Sequence, residues 1–164
     1  MDDALNLVLV GMPGCGKSRI GKIVAKLLHR EFVDLDAEVV RAAGMSIPEI
    51  FEKFGETRFR ELEREAAVAV AARKSSVIAT GGGTIVQPGA PAIFRATGKI
   101  CYLRRPPELL QTAHGRPLSR DRAAVEKLYA ERREKYESAA DFTVDNADRT
   151  PSEVAQQVVA AFRG

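Results

Sequence analysis

Residues 5–18 read Leu5-Asn6-Leu7-Val8-Leu9-Val10-Gly11-Met12-Pro13-Gly14-Cys15-Gly16-Lys17-Ser18. The apolar run ends on glycine, which reads as a short buried strand. The stretch from Gly11 to Ser18 then fits the pattern G-x-x-x-x-G-K-[ST] with no mismatch. Beyond it, Ile20, Ile23, Val24, Leu27 and Leu28 recur at helical spacing. Strand, glycine turn and helix in that order make a phosphate cradle. Gly14 and Gly16 let successive N–H groups converge on one anion, and the start of the helix adds unpaired donors and the positive end of its dipole. Lys17 can reach the β- and γ-phosphates, and the Ser18 hydroxyl can hold Mg²⁺. An ordinary glycine-rich turn is the competing reading, and a full match in the right context argues against it. Cys15 is either a small filler residue or a thiol made reactive by its electropositive surroundings.

Working outward, strands and helices alternate. Glu31–Leu35, Val77–Ala79, Ile100–Leu103 and Phe142–Val144 read as further strands. Helical patterns cover Val39 onward, Ile47 to about Arg73 with a break near Gly44, Asp121 to Ser138, and Pro151 to Phe162. That order predicts an α/β fold with a mostly parallel sheet, helices on both faces and the ligand at the carboxyl ends of the strands. At 164 residues the chain is one domain. A net charge of +3 and a sequence pI near 9.0 are too mild to demand nucleic acid and equally fit a small basic pocket. No apolar run approaches the roughly 18 residues a membrane span needs. The start, Met1-Asp2-Asp3, lacks the basic region of a signal peptide, and two cysteines make no disulfide framework, so a reducing cytoplasm is expected. Cys15, Cys101, His29 and His114 lack a zinc-finger spacing. His29 suits the end of the first helix as a dipole partner, and His114 reads as an exposed loop residue.

The phosphate acceptor must be sought in other clusters. Asp34 and Asp36 flank Leu35 at a strand end, where alternation puts both carboxylates on one side. One can support Mg²⁺ and the other accept hydrogen bonds from hydroxyls; the alternative is a helix cap plus a surface acid. Arg60 lies three residues before Glu63 and four after Glu56, sharing a helix face with both. That guanidinium can grip a carboxylate, or the cluster can be a solvated face of ion pairs. Thr80-Gly81-Gly82-Gly83-Thr84 follows a strand and is either a close-approach ligand loop or a flexible one. Residues 116–133 hold six basic residues against three acidic ones, which suits a loop of arginines closing over phosphates or a charged helix in water.

Together, Asp34-x-Asp36, Phe59-Arg60 before Glu63, Gly81-Gly82-Gly83, Arg116-Pro117-Leu118 and Arg132-x-x-x-Tyr136 resemble the shikimate kinases over nearly the whole chain. The resemblance implies a three-layer phosphate-loop kinase fold with a five-stranded parallel sheet of order 2-3-1-4-5. It implies transfer of the ATP γ-phosphate to the 3-hydroxyl of shikimate, a step toward chorismate and the aromatic amino acids. Under it, Lys17 contacts the transferring phosphate, and Ser18 with Asp34 organises Mg²⁺. Asp36 binds the shikimate hydroxyls and takes the proton. Arg60 and Arg132 hold the carboxylate, and Gly82, between Gly81 and Gly83, offers its backbone to ring hydroxyls. Glu63 orients Arg60, while Phe51 and Phe59 form an apolar wall. Arg116 neutralises charge from a lid at about 112–122, with an acceptor-binding region at about 34–62. Gly14, Cys15 and Gly16 line the nucleotide site, and Arg149 and Pro151 fall in the adenine-binding loop. The implied partners are shikimate and ATP alone, with no nucleic acid and no membrane, and the implied state is a monomer.

This sequence departs from the family pattern at two places. Gln111-Thr112 stands where an Arg-Thr pair usually packs on adenine, so weaker stacking and broader nucleotide use are expected. Arg133-Glu134-Lys135 lacks a proline common before the tyrosine, which should leave that helix straighter. A gluconate-kinase-like enzyme shares the loop and takes a polyhydroxy acid too, but Phe59-Arg60 and the triple glycine disfavour it. A non-catalytic nucleotide-binding module would keep the loop and lack the acceptor cluster.

Overall fold

The computed structural model describes residues 4–110 and 121–164. His114, Arg116 and the lid stretch 112–120 therefore lie outside the described residues, as does Gln111. The strands are β1 (Asn6–Val10), β2 (Glu31–Asp34), β3 (Ser76–Ala79), β4 (Gly98–Arg104) and β5 (Phe142–Asp145). They form one parallel sheet in the order β2-β3-β1-β4-β5, as expected. Central β1 is buried along its whole length, which is why Leu7 to Val10 reads as unbroken apolar sequence rather than alternation. Every strand points the same way, so the segments after β1, β2, β3 and β5 meet at one rim of the sheet.

The helices are α1 (Lys17–Leu28), α2 (Leu35–Ala43), α3 (Ile47–Ala71), α4 (Ala90–Arg95), α5 (Arg122–Ala139) and α6 (Pro151–Arg163). α1 packs on α6, and α2 on α3. Short α4 escapes the sequence reading because its six residues span less than two turns of pattern. α1 ends at His29, whose left-handed backbone (φ 56°) turns its N–H onto the carbonyls of Ala25 and Lys26. The backbone of His29 thus closes the helix. α3 is interrupted at Gly55, where φ is 82° and ψ 174°, so its functional half opens afresh at Glu56.

One expectation needs correction. β2 stops at Asp34, and Leu35 is already helical. Asp34 caps α2 itself, its Oδ1 accepting the N–H of Asp36 at 3.0 Å and of Ala37 at 3.5 Å. Strand alternation therefore does not set the relation between Asp34 and Asp36; the cap and the first helical turn do.

Tyr102 on β4 stacks on Tyr136 of α5, with ring centroids 5.2 Å apart. Its hydroxyl is buried with no hydrogen-bond partner among the described residues. Tyr102→Phe is expected to keep the ring packing, lose the desolvation cost and raise the melting temperature by about 2–4 °C. A drop on thermal denaturation would show that the hydroxyl has a partner in solution.

Candidate active site

The phosphate loop sits at the end of β1, as its sequence demands. Gly11, Gly14 and Gly16 adopt positive φ, and no side chain caps the start of α1. The first N–H groups of α1 are thereby left for an anion. Lys17 is buried, its Nζ folded back to donate to the Gly11 carbonyl at 2.7 Å and the Met12 carbonyl at 2.9 Å. Cys15 is 1% exposed, with its N–H on the Met12 carbonyl and its Sγ 3.7 Å from Lys17 Nζ. Burial favours the filler role for this thiol over a reactive one.

Ser18 Oγ donates to Asp34 Oδ2 at 3.2 Å. One Asp34 oxygen caps α2 while the other faces the phosphate loop. A hydroxyl and a carboxylate are hard oxygen donors, a set that suits Mg²⁺ with the remaining places held by water and phosphate. A cavity of about 200 Å³ joins Lys17, Ser18, Asp34, Asp36, Gly81 and Gly82. Asp36 is half-buried at its wall, and the helix cap of the alternative reading falls to Asp34.

The triple-glycine turn after β3 is the seam of the site. A methyl built on Gly81 would stand 2.8 Å from Asp36 Oδ1 and 3.2 Å from Glu63 Oε2. One on Gly82 would stand 2.5 Å from the Pro13 ring, and one on Gly83 2.6 Å from the Arg60 guanidinium nitrogens. The glycines therefore make room for neighbouring protein as much as for a ligand. Each admits a different functional element: the aspartate, the phosphate loop and the arginine. The Gly82 carbonyl accepts the Tyr136 hydroxyl, and Gly82 lines the cavity beside the phosphate loop.

Arg60 is not on a solvated face. Its side chain is 15% exposed and that of Glu63 3%, and Nη1 meets Glu63 Oε1 at 2.9 Å. Glu56, which is exposed, touches the outer edge of the same guanidinium at 3.4 Å. Thr84 Oγ1 fixes the second Glu63 oxygen at 2.9 Å. Burial raises the Glu63 carboxyl above its ordinary value, against the opposing pull of Arg60 and Thr84. Phe59 packs on Phe51, with centroids 4.8 Å apart, and lies 5.1 Å beneath the Arg60 guanidinium. The two rings thus lie together beside the cation. A larger cavity, about 590 Å³, opens on the far flank of Arg60 toward Gln87 and Ile93, and no phosphate-loop residue lines it.

The basic stretch splits in two. Lys127 and Arg133 pair with Glu131 and Glu137 at 4.0 and 3.9 Å on the exposed face of α5, as a solvated helix would. Arg132 is 8% exposed and makes no ion pair with any described carboxylate.

At the end of β5, Asn146 Nδ2 donates to the Cys15 carbonyl at 2.8 Å and ties this segment to the phosphate loop. Pro151 opens α6, and exposed Arg149 pairs with Gln157. Pro151 and Arg149 share the segment with Asn146, but Arg149 is turned toward α6 rather than the loop. Sequence reasoning passed over Asn146 and quoted Tyr136 and Thr84 without giving either a role. The strand-end rule applied to β5 would have found Asn146, and adjacency to the triple glycine would have flagged Thr84.

A phosphate loop, two neighbouring aspartates and a mostly buried arginine around one glycine turn define a phosphate-loop kinase acting on a small molecule. A sequence profile of shikimate kinase matches residues 13–163. The chain is 40% identical to a shikimate kinase of Caldanaerobacter subterraneus, covering 96% of this chain and 95% of that one. It is 38% identical to one from Geobacter sulfurreducens, covering 98% and 92%. Among solved structures, shikimate kinase from Acinetobacter baumannii in complex with shikimate superposes with a TM-score of 0.92 at 34% identity, covering 96% of this chain and 92% of that one. A gluconokinase from Sinorhizobium meliloti superposes at 0.61 with 14% identity, covering 99% and 94%, and shares the fold alone. The chain belongs to the shikimate kinase family and is an ATP-dependent kinase that phosphorylates a hydroxyl of shikimate.

Proposed function

We propose that this single domain transfers the γ-phosphate of ATP to the shikimate 3-hydroxyl with the residues gathered at the glycine turn. Arg60 and Arg132 hold the carboxylate, each able to give two parallel N–H bonds. The Gly82 N–H and the Asp36 carboxylate bind ring hydroxyls. The attacking oxygen bonds to the γ-phosphorus, the bond to the β–γ bridging oxygen breaks, and Asp36 receives the hydroxyl proton. Lys17 exchanges its two backbone carbonyls for phosphate oxygens and follows the charge onto ADP. Ser18 and Asp34 hold Mg²⁺, which when bound neutralises phosphate charge. Arg116, outside the described residues, adds a cation from the lid at about 112–122. Phe51 and Phe59 exclude water beside the acceptor region, residues 34–62. Gly14, Cys15 and Gly16 wrap the phosphates, and Arg149 and Pro151 border the adenine. The enzyme works as a monomer on small molecules, with no nucleic acid or membrane partner, and its two unpaired, buried cysteines suit the cytoplasm.

The observation that carries this reading is the glycine turn, which touches Asp36, the phosphate loop and Arg60 through three successive residues. The test is ADP release in the presence of Mg²⁺ and ATP with shikimate or gluconate as acceptor. Release that depends on shikimate and ignores gluconate is expected. Equal rates with both acids would move the assignment to a broader sugar-acid kinase, and release with neither would leave a nucleotide-binding module.

A further inference from the structure

Tyr136 of α5 is fully buried, yet it carries a polar hydroxyl to a crossing point of the site. Its one proton goes to the Gly82 carbonyl. Arg132, one turn earlier on the same buried face of α5, is the charged neighbour that acts on that hydroxyl. Met12 Sδ of the phosphate loop stands 3.9 Å away. Three separate elements meet on that oxygen: the loop after β1, the turn after β3 and the cation of α5. Burial pushes the hydroxyl up to about 12, so it stays a proton donor throughout the working range.

Arg132 has many rotamers and no described carboxylate to choose among them. A guanidinium must be fixed before it can take a carboxylate in parallel bonds. The turn that carries the Gly82 N–H faces the same requirement, and the Gly82 carbonyl is the point at which Tyr136 pins it. One hydroxyl meets both needs.

We propose that Tyr136 is a positioning residue that aims Arg132 and the Gly82 N–H at the acceptor. The inference rests on the carboxylate-binding reading of Arg132. Tyr136 does not touch the substrate; it acts through Arg132 and Gly82, and the ring of Tyr102 stacked behind it sets its own angle.

The experiment is a kinetic double-mutant cycle with Tyr136→Phe, Arg132→Ala and the double variant, each checked by circular dichroism and thermal melting. Tyr136→Phe is expected to raise the shikimate KM about three- to tenfold, the scale of one lost hydrogen bond, with the ATP KM changed less than about twofold. On the Arg132→Ala background the same substitution is expected to add clearly less, because one of its two routes is already gone. An unchanged shikimate KM in folded Tyr136→Phe overturns the inference, as does an undiminished effect on the Arg132→Ala background. Should Tyr136→Phe fail to fold, ring-labelled tyrosine in the wild-type protein decides by magnetic resonance. Tyr136 signals that shift on saturation with shikimate support the role, and signals that stay put overturn it. Wild-type enzyme with no shikimate-dependent turnover would defeat the functional reading and this inference together, whereas the other negative results strike this inference alone.

Discussion

Lys17→Ala is expected to lower kcat for shikimate phosphorylation by about a thousandfold while leaving a folded protein. The magnitude follows from its place: removal of a single preorganised donor from developing charge costs roughly 10²–10³ in rate, and Lys17 brings a full charge to a water-poor loop. At rest the ammonium is held by two carbonyls of its own loop, 2.7 and 2.9 Å away. Those bonds fold the side chain back onto its own loop, so it exchanges carbonyl partners for phosphate oxygens when triphosphate arrives. The same bonds predict a modest loss of stability in the variant, since two carbonyls lose a donor; each such bond contributes about 1 kcal/mol net. Lys17→Arg keeps the charge but cannot place a planar fork between the Gly11 and Met12 carbonyls, so it is expected to recover little of the rate. Single-turnover ADP release is the measurement. A Lys17→Ala enzyme retaining more than about a tenth of the wild-type kcat would remove Lys17 from the reaction and with it the cradle assignment.

The phosphate loop was legible in sequence because its chemistry is local. The glycines, the lysine and the serine lie within eight successive positions, and the backbone alone makes the binding surface. The sheet order and the acceptor residues are different in kind. Arg60 and Arg132 are 72 positions apart in the chain, and nothing in their spacing relates one to the other. The family resemblance supplied that link. By residue chemistry alone, Arg60 read better as one of several surface pairs, such as Arg58 with Glu61, which does lie exposed. What separates the two arginines is two residues, about 200° of helix: Arg60 faces inward toward Glu63 and Arg58 outward. The position of the Gly55 kink decides that phase, and a glycine in a helical pattern does not announce which way the next turn will point. Asp34 failed in a similar way. Its cap on α2 competes with strand continuation, and sequence alternation cannot tell which wins. Tyr136 was visible as a spacing to Arg132 but not as a contact to Gly82, 54 residues away.

Arg60 and Glu63 give the second large effect, with opposite consequences for stability and for binding. Arg60→Ala is expected to lower kcat/KM for shikimate by about 10²–10³, corresponding to two charge-assisted hydrogen bonds at roughly 1.5–2 kcal/mol each. It also strands Glu63, which is 2% exposed, and removing one partner of a buried pair destabilises by about 3 kcal/mol or more. Glu63→Gln separates these effects. The amide can still accept from Arg60 but carries no charge, so Arg60 is held less firmly and the shikimate KM is expected to rise about tenfold with little loss of fold. The double variant Arg60→Ala/Glu63→Gln is expected to regain stability and stay deficient in shikimate binding. Acid pH should reproduce part of this in the native protein. Desolvation raises the folded-state value of Glu63 above its ordinary 4.5. A carboxyl raised on folding contributes stability that is fully present below its unfolded value and is lost as pH climbs through the folded one. Activity needs the ionised form to hold Arg60, so shikimate affinity falls over the same window as pH drops. A plot of log kcat/KM for shikimate against pH is therefore expected to bend downward above the ordinary carboxylate range, and Glu63→Gln to abolish that bend. If the bend persists unchanged in Glu63→Gln, its source is another group, and Glu63 does not govern the carboxylate-binding arginine.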